Sequence, residues 1–399
     1  MRIFFNDRKS LMSAQRDSKS DYEIKDHQLY FTRLGVLLKL FRENKISKKK
    51  RGMRFKIFLF AISTQLVMVL QRIIYKRRFK KIDFDQNPPI FILGHWRSGT
   101  THLHYLMSSD PQVGFTSNFN SFMINICLLG KGWLDKFLQK FMPQQRPMDN
   151  VEQTIFSPSE EDQAVANMSI ASGIHTFFFP KNRSYFDKYM TFRDASPKEK
   201  KKWQKAYNDM LRIVAVSNGG KRLVIKSPGN TSRIKELKEL YPGAKFVFIH
   251  RNPYDVYRST RKLHKKSTES QYLQDMTEED IQDLIFYEYA EIFKAYFAKK
   301  NDIPAEDLVE IGFDELNADA EGTMAYIYRK LNLPGFEKAL PAIQAYLASV
   351  KNYTLNKFKP LEPELVERIQ KEWGFTFEEW GYDLTHSEAT MKSSKKRLD

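Results

Sequence analysis

The sequence predicts an α/β fold, a parallel sheet flanked by helices, with helical additions at the N- and C-termini. Three observations predict it. Short apolar runs at residues 90–93, 222–226 and 244–250 alternate with segments of helical periodicity, the pattern of parallel strands joined by crossover helices. Within each run apolar residues follow one another without alternation, as in strands buried on both faces. Polar and charged residues gather where the runs end, and ligands of such sheets sit at the carboxyl ends of the strands.

The elements follow in order. Residues 1–54 are polar and basic, with a helical patch near residues 30–41 marked by Leu34, Val36, Leu37 and Leu40. Asn87-Pro88-Pro89 marks the entry to the first strand. That strand, residues 90–93, leads through a glycine-bearing loop to a helix at 100–107, which stops near Ser109-Asp110-Pro111. Residues 112–160 form a long connection. It holds an apolar segment at 119–129, a helix at 133–141 and the polar loop Arg146-Pro147-Met148-Asp149-Asn150. Ser157-Pro158-Ser159-Glu160-Glu161 reads as a helix start with acidic residues in its first turn. Trp203, Tyr207, Met210, Leu211 and Val214 lie at helical spacing within 198–217. A strand at 222–226, a helix at 232–240 ended by Tyr241-Pro242-Gly243, and a strand at 244–250 come next. Asn252-Pro253 then opens a helix, since proline suits the first helical position. From about Ser267 the chain reads as mostly helical, apart from a last strand at 308–313. The expected division is a basic helical extension over 1–84, one α/β domain over 85–385 and a charged tail over 386–399.

Charge is unevenly placed. Residues 1–80 carry 21 Lys/Arg against 6 Asp/Glu, a balance of +15 out of the chain's +17. The basicity therefore belongs to the N-terminal region and not to a groove across the fold, and no nucleic-acid partner is expected. A single cysteine, Cys127, excludes an intrachain disulfide and fits a reducing, cytoplasmic compartment. Lys48-Lys49-Lys50-Arg51 and Arg77-Arg78 flank an apolar run of about 14 residues at 57–70, broken by Gln65. A spanning helix wants roughly 20 residues. The run also lies too far from Met1, behind too polar a lead-in, for a signal peptide. It reads first as an amphipathic helix packed on the fold or lying on an anionic membrane surface, second as a core helix, and last as a signal anchor. Peripheral membrane contact through residues 1–80 is one of these expectations.

Two motifs carry the chemistry. Gly94-His95-Trp96-Arg97-Ser98-Gly99-Thr100-Thr101 has the glycine spacing of a nucleotide-binding P-loop, so the sheet is P-loop-like. Backbone N–H groups around Ser98–Thr101 and the positive end of the following helix make an anion site. Thr100 occupies the P-loop lysine position, which disfavours an ATP-dependent kinase, and the positive charge stands at Arg97 instead. The second motif ends a buried strand at Arg251 and places Ser259 eight residues later, so both can grip one phosphate.

At these residues the chain resembles the PAPS-dependent sulfotransferases (PAPS is 3′-phosphoadenosine 5′-phosphosulfate). Arg97-Ser98-Gly99-Thr100-Thr101 after a buried strand is similar to their 5′-phosphosulfate loop, in the variant of the broad, mostly bacterial branch. Arg251 and Ser259 resemble their 3′-phosphate motif. Arg146-Pro147-Met148-Asp149, Ser157-Pro158-Ser159-Glu160-Glu161-Asp162, Lys226-Ser227-Pro228 and Gly381-Tyr382 fit the same branch, and the resemblance covers about residues 85–385. It implies in-line attack of an acceptor hydroxyl on the sulfur of PAPS, release of adenosine 3′,5′-bisphosphate, and no metal. Arg97, Ser98, Gly99, Thr100, Thr101, Arg251 and Ser259 are then the donor-binding residues. Arg97 and Lys226 are expected to meet the charge that grows on the leaving oxygen.

The general base is less sharply marked. Thr116-Ser117-Asn118 stands where tyrosylprotein sulfotransferases carry a Glu, and the interval where cytosolic relatives carry a His has none here. Glu160 is the favoured base, with Glu161 and Asp149 behind it. The plain alternative is that Glu160 and Glu161 only favour a helix start. His102, His104 and His175 are further candidates, His95 is expected to shape the loop or contact ligand, and Asn230 replaces a His that relatives often carry after Lys-Ser-Pro. Phe115, Phe119, Phe122, Met123 and residues 177–179 would wall the acceptor side if they are not simply core. They would suit a lipophilic alcohol such as a sterol or lipid. A carbohydrate acceptor, a P-loop kinase and a non-enzymatic nucleotide-binding protein are the alternatives.

Overall fold

The computed structural model describes residues 27–139, 152–351 and 360–385. Five parallel strands form one sheet: β1 Ile90–Leu93, β2 Val113–Phe115, β3 Arg222–Lys226, β4 Lys245–His250 and β5 Leu308–Gly312, in the order β2-β3-β1-β4-β5. β1 registers Phe91 opposite Ile225 of β3 and Phe246 of β4. Every residue of β1 is buried, and helices cover both sides of the sheet. The chain leaves β1 toward β2 on one side and leaves β4 toward β5 on the other. The crevice where the connections part therefore lies between β1 and β4, past their carboxyl ends.

The strands at 90–93, 222–226 and 308–313 fall where the sequence places them, the last one residue shorter, and β4 begins at Lys245. β2 was not legible. It is a three-residue edge strand with Gly114 at its centre, where a side chain would collide with Asn218. The helix expected at 232–240 opens with a 3-10 stretch, Pro228–Arg233, before the α-helix Ile234–Leu240. Buried hydrogen bonds of Asn230 and Thr231 hold that tighter turn.

The helix Pro197–Ser217 begins with a capping box between Ser196 and Glu199, and buries Trp203, Tyr207, Met210, Leu211 and Val214. The C-terminal helix Pro363–Trp380 buries Trp373, which stacks on Tyr289 of the helix Glu278–Phe297 at 3.8 Å.

The apolar run at 57–70 lies inside one 30-residue helix, Arg51–Lys80. Its inner face, Ile57, Ala61, Thr64, Met68 and Gln71, is buried against the fold. Gln71 clasps the backbone of Ile124 and Leu128, and Arg212 donates to Phe79 O and Ile82 O. Leu37 and Leu40 of the helix Leu34–Glu43 share a cluster with Ile57, Phe178 and Phe179.

Candidate active site

The loop after β1 is fixed by backbone demands at two glycines. Gly94, at φ +136°, has Ile249 O where a Cβ would stand, and Gly99, at φ +96°, has the ring of Phe313 there. Arg97 adopts φ +70°, uncommon for a residue with a side chain. Its Nε donates to Ser259 Oγ at 2.8 Å, which joins the two phosphate motifs directly. Arg251 donates to Arg97 O at 3.4 Å and stands 4.4 Å over the Phe313 ring. Asp255 bridges Arg251 and Arg258 at 3.3 and 3.2 Å.

The helix Thr100–Ser108 starts at Gly99, which brings no capping side chain, so the N–H groups of its first turn face the loop mouth. The N–H of Ser98 differs from the expectation: it bonds His95 O at 3.2 Å and closes the loop internally. The Ser98 hydroxyl and the Nε of Arg251 are buried with no partner among the described residues. Buried donors of this kind fit an anionic ligand, because burial without a partner is costly. The two sit on the two motifs read as phosphate sites.

A cavity of about 210 Å³ opens beside the loop. Arg97, Thr100, Thr101, Lys226 and Glu160 all line it, so the structure brings together the loop, the end of β3 and the start of the acidic segment. Lys226 is buried at the end of β3, and its Nζ lies 2.6 Å from Glu160 Oε1. Glu160 is the one Asp or Glu lining the cavity among the described residues. The helix expected from residue 157 begins at Asp162 with Glu161 at its N-cap, so Glu160 lies outside the helix and does not cap it. Asp149 lies outside the described residues.

Glu161 is not brought to the cavity. It is fully buried, and its carboxylate accepts from Tyr207 Oη (2.8 Å), Ser227 Oγ (2.7 Å) and Asn230 Nδ2 (2.5 Å). Burial, then the neighbouring charge of Asp162, pushes it up to about 7 despite these donors. Asn230, at the position where relatives carry a His, belongs to this network and also donates to Tyr207 Oη. Asp162 is clamped by both terminal nitrogens of Arg233, at 2.9 and 2.6 Å. Sequence reasoning missed this inner network. Its one signal was the Glu160-Glu161-Asp162 run, which marks acids without saying which way each faces.

The candidate histidines stand apart from the cavity lining. His95 is buried, meets Trp96 O at 2.9 Å, and burial lowers it to about 3. His102 pairs with Tyr346 Oη at 3.1 Å. His104 is held well below its ordinary value by burial and by Lys226. His175 meets Ser169 O at 3.0 Å and is lowered by burial to about 4.

Of the aromatic residues expected on the acceptor side, Phe122 and Phe177 line the cavity, with Trp96, Ile174 and Leu263. Phe119, Met123, Phe178 and Phe179 are core. Phe115 lies on β2, against His104. The rest of the lining is rich in amides: Gln28, Gln153, Gln163, Gln271 and Asn118.

Comparisons with known proteins place this geometry. A sequence model described as the sulfotransferase family matches residues 88–338. The chain is 29% identical over 313 residues to omega-hydroxy-beta-dihydromenaquinone-9 sulfotransferase Stf3 of Mycobacterium tuberculosis, covering 78% of this chain and 80% of the relative. The Mycobacterium bovis protein of the same name matches equally. Two solved structures share the fold. Sulfotransferase STF1 of M. tuberculosis has TM-score 0.62 and 20% identity, over 87% of this chain and 92% of that one. Sulfotransferase STF9 of Mycobacterium avium has TM-score 0.63 and 17% identity, over 91% and 99%. A buried strand running into a glycine-bearing loop and a family model that matches residues 88–338 agree, and the chain belongs to the sulfotransferase family.

Proposed function

We propose that this sulfotransferase uses PAPS as donor and the hydroxyl of a lipophilic alcohol, a sterol or lipid, as acceptor. One observation carries the reading: a cavity beside the phosphate loop holds a single described carboxylate, Glu160, paired with Lys226. The acceptor oxygen forms a bond to sulfur, the bond from sulfur to the 5′-phosphate oxygen breaks, and the acceptor proton passes to Glu160. Adenosine 3′,5′-bisphosphate leaves with the electron pair. Arg97, Lys226 and the start of the helix Thr100–Ser108 meet the negative charge on the leaving oxygen. As the donor enters, Lys226 turns toward the sulfuryl group and releases Glu160 for the acceptor. Ser98, Arg251 and Ser259 hold the phosphates.

The apolar lining from Trp96, Phe122, Ile174, Phe177 and Leu263 supports a lipophilic acceptor. So does the hydroxylated dihydromenaquinone in the name of the Mycobacterium relatives. The amide-rich remainder of the wall favours a second acceptor class, carbohydrate, for the same chemistry. The reading includes a cytoplasmic location with peripheral membrane contact through residues 1–80, supported by the lone cysteine and the exposed apolar helix Arg51–Lys80.

The test is incubation of the purified protein with radiolabelled PAPS and a panel of sterols, long-chain alcohols and glycans, with ATP and adenosine 3′,5′-bisphosphate as competitors. Label is expected in the long-chain alcohols, and the bisphosphate is expected to compete better than ATP. Preference for ATP would overturn the donor assignment, and label confined to glycans would overturn the acceptor.

A further inference from the structure

We propose that the outward face of the helix Arg51–Lys80 docks on an anionic lipid bilayer, with the helix lying in the plane of the headgroups. The inference deepens the membrane contact proposed above, and its residues are separate from the transfer site.

The helix has two opposed faces. Ile57, Ala61, Thr64, Met68 and Gln71, spaced by four and three, turn into the fold. Phe55, Leu59, Ile62, Leu66, Val69 and Ile73 keep the same spacing half a turn away and face solvent, Leu66 at 70% exposure and Ile73 at 65%. Large aliphatic groups so continuous and so exposed mark a partner surface. Charge identifies the partner. Residues 44–82 contain no Asp or Glu, while Lys48-Lys49-Lys50-Arg51 stands at one end of the helix and Lys76-Arg77-Arg78 at the other. Residues 57–71 between them are uncharged, a stretch about 22 Å long at ~1.5 Å per residue. An apolar stripe set between basic ends matches acyl chains beneath anionic headgroups.

The fold decides between lying and spanning. The inner face is engaged along the helix, by Gln71 with Ile124 and Leu128 and by Tyr75 Oη donating to Leu128 O. Spanning would break these contacts; lying flat keeps them. The same helix is tied to the acceptor wall. Phe60 stacks on Tyr30 and meets Phe31, two and three residues from Gln28, which lines the cavity. A docked helix would hold the cavity at a fixed distance from the lipid surface.

The experiment is co-sedimentation of the full chain with phosphatidylglycerol–phosphatidylcholine vesicles and with pure phosphatidylcholine vesicles, at low and high salt. Partitioning onto the anionic vesicles is expected to be at least ~10-fold stronger, and to weaken with salt. The double variant Ile62→Glu, Leu66→Glu is expected to lose it by ~10-fold or more. Both side chains are exposed, so circular dichroism and adenosine 3′,5′-bisphosphate affinity should not change. Wild-type protein left in the supernatant, or equal salt-insensitive binding to neutral vesicles, would overturn the proposal. So would a dimer that the double variant dissolves, which would make a second copy the occupant. Absence of bisphosphate binding alongside vesicle binding would instead remove the donor assignment and leave this inference standing.

Discussion

Arg97 joins the two phosphate motifs, since its side chain reaches from the β1 loop to Ser259 on the helix after β4. Arg251 sits against the same loop through Arg97 O, with its Nε buried and without a partner among the described residues. A charged hydrogen bond to a ligand is worth ~1.5–3 kcal/mol. Arg97→Ala and Arg251→Ala should therefore each weaken adenosine 3′,5′-bisphosphate binding roughly 10- to 100-fold by calorimetry. Unchanged affinity in either variant would remove that residue from the donor site. The placing of these residues on a loop and at a strand end was legible because strand, glycine loop and helix are local in sequence, and local geometry dictates where their side chains start. Glu160 was ranked ahead of Glu161, but local geometry does not say which way either faces. They are neighbours in one acidic run, and only packing turns Glu160 to the cavity and Glu161 to Tyr207, Ser227 and Asn230. The loop pattern offers Ser98 as a backbone donor to phosphate, but its N–H closes the loop on His95 O.

Among the elements, the Glu161 network does the joining. It links the approach to the helix Asp162–Met168 with the end of β3, the 3-10 turn Pro228–Arg233 and the helix Pro197–Ser217. The carboxyl of Glu161 is raised from 4.5 to about 7 in the folded chain. A raised carboxyl binds its proton more tightly when folded, so its contribution to stability is full below pH 4.5 and is lost as pH rises through about 7. Glu161→Gln removes this pH dependence. Across that window the stability difference between variant and wild type should move in the variant's favour, by ~1.4 kcal/mol per pH unit at most. Denaturant melts at a series of pH values check it; parallel curves for the two proteins would refute it. The long strands and helices were legible through apolar runs, caps and periodicity. β2 was not, because three residues around a glycine carry too little pattern. The length of the helix Arg51–Lys80 was hidden too, since only the apolar run at 57–70 carried a pattern and the charged residues stood as its flanks.

At the scale of the molecule, the sheet order sets the phosphate loop and the second motif on either side of the crevice between β1 and β4. β3, on the other side of β1, brings Lys226 to the same end, and the long connection after β2 returns Glu160 against it. Family membership accounts for the reaction class, and the meeting of the β1 loop, Lys226 and Glu160 at one cavity is what the proposed mechanism rests on. The measurement that tests it most directly is sulfuryl transfer by Glu160→Gln, with adenosine 3′,5′-bisphosphate affinity determined on the same preparation. Loss of general-base assistance should lower turnover by ~10²–10⁴-fold while affinity stays at the wild-type value. Wild-type turnover in that variant would contradict the assignment of Glu160 and place the proton acceptor elsewhere.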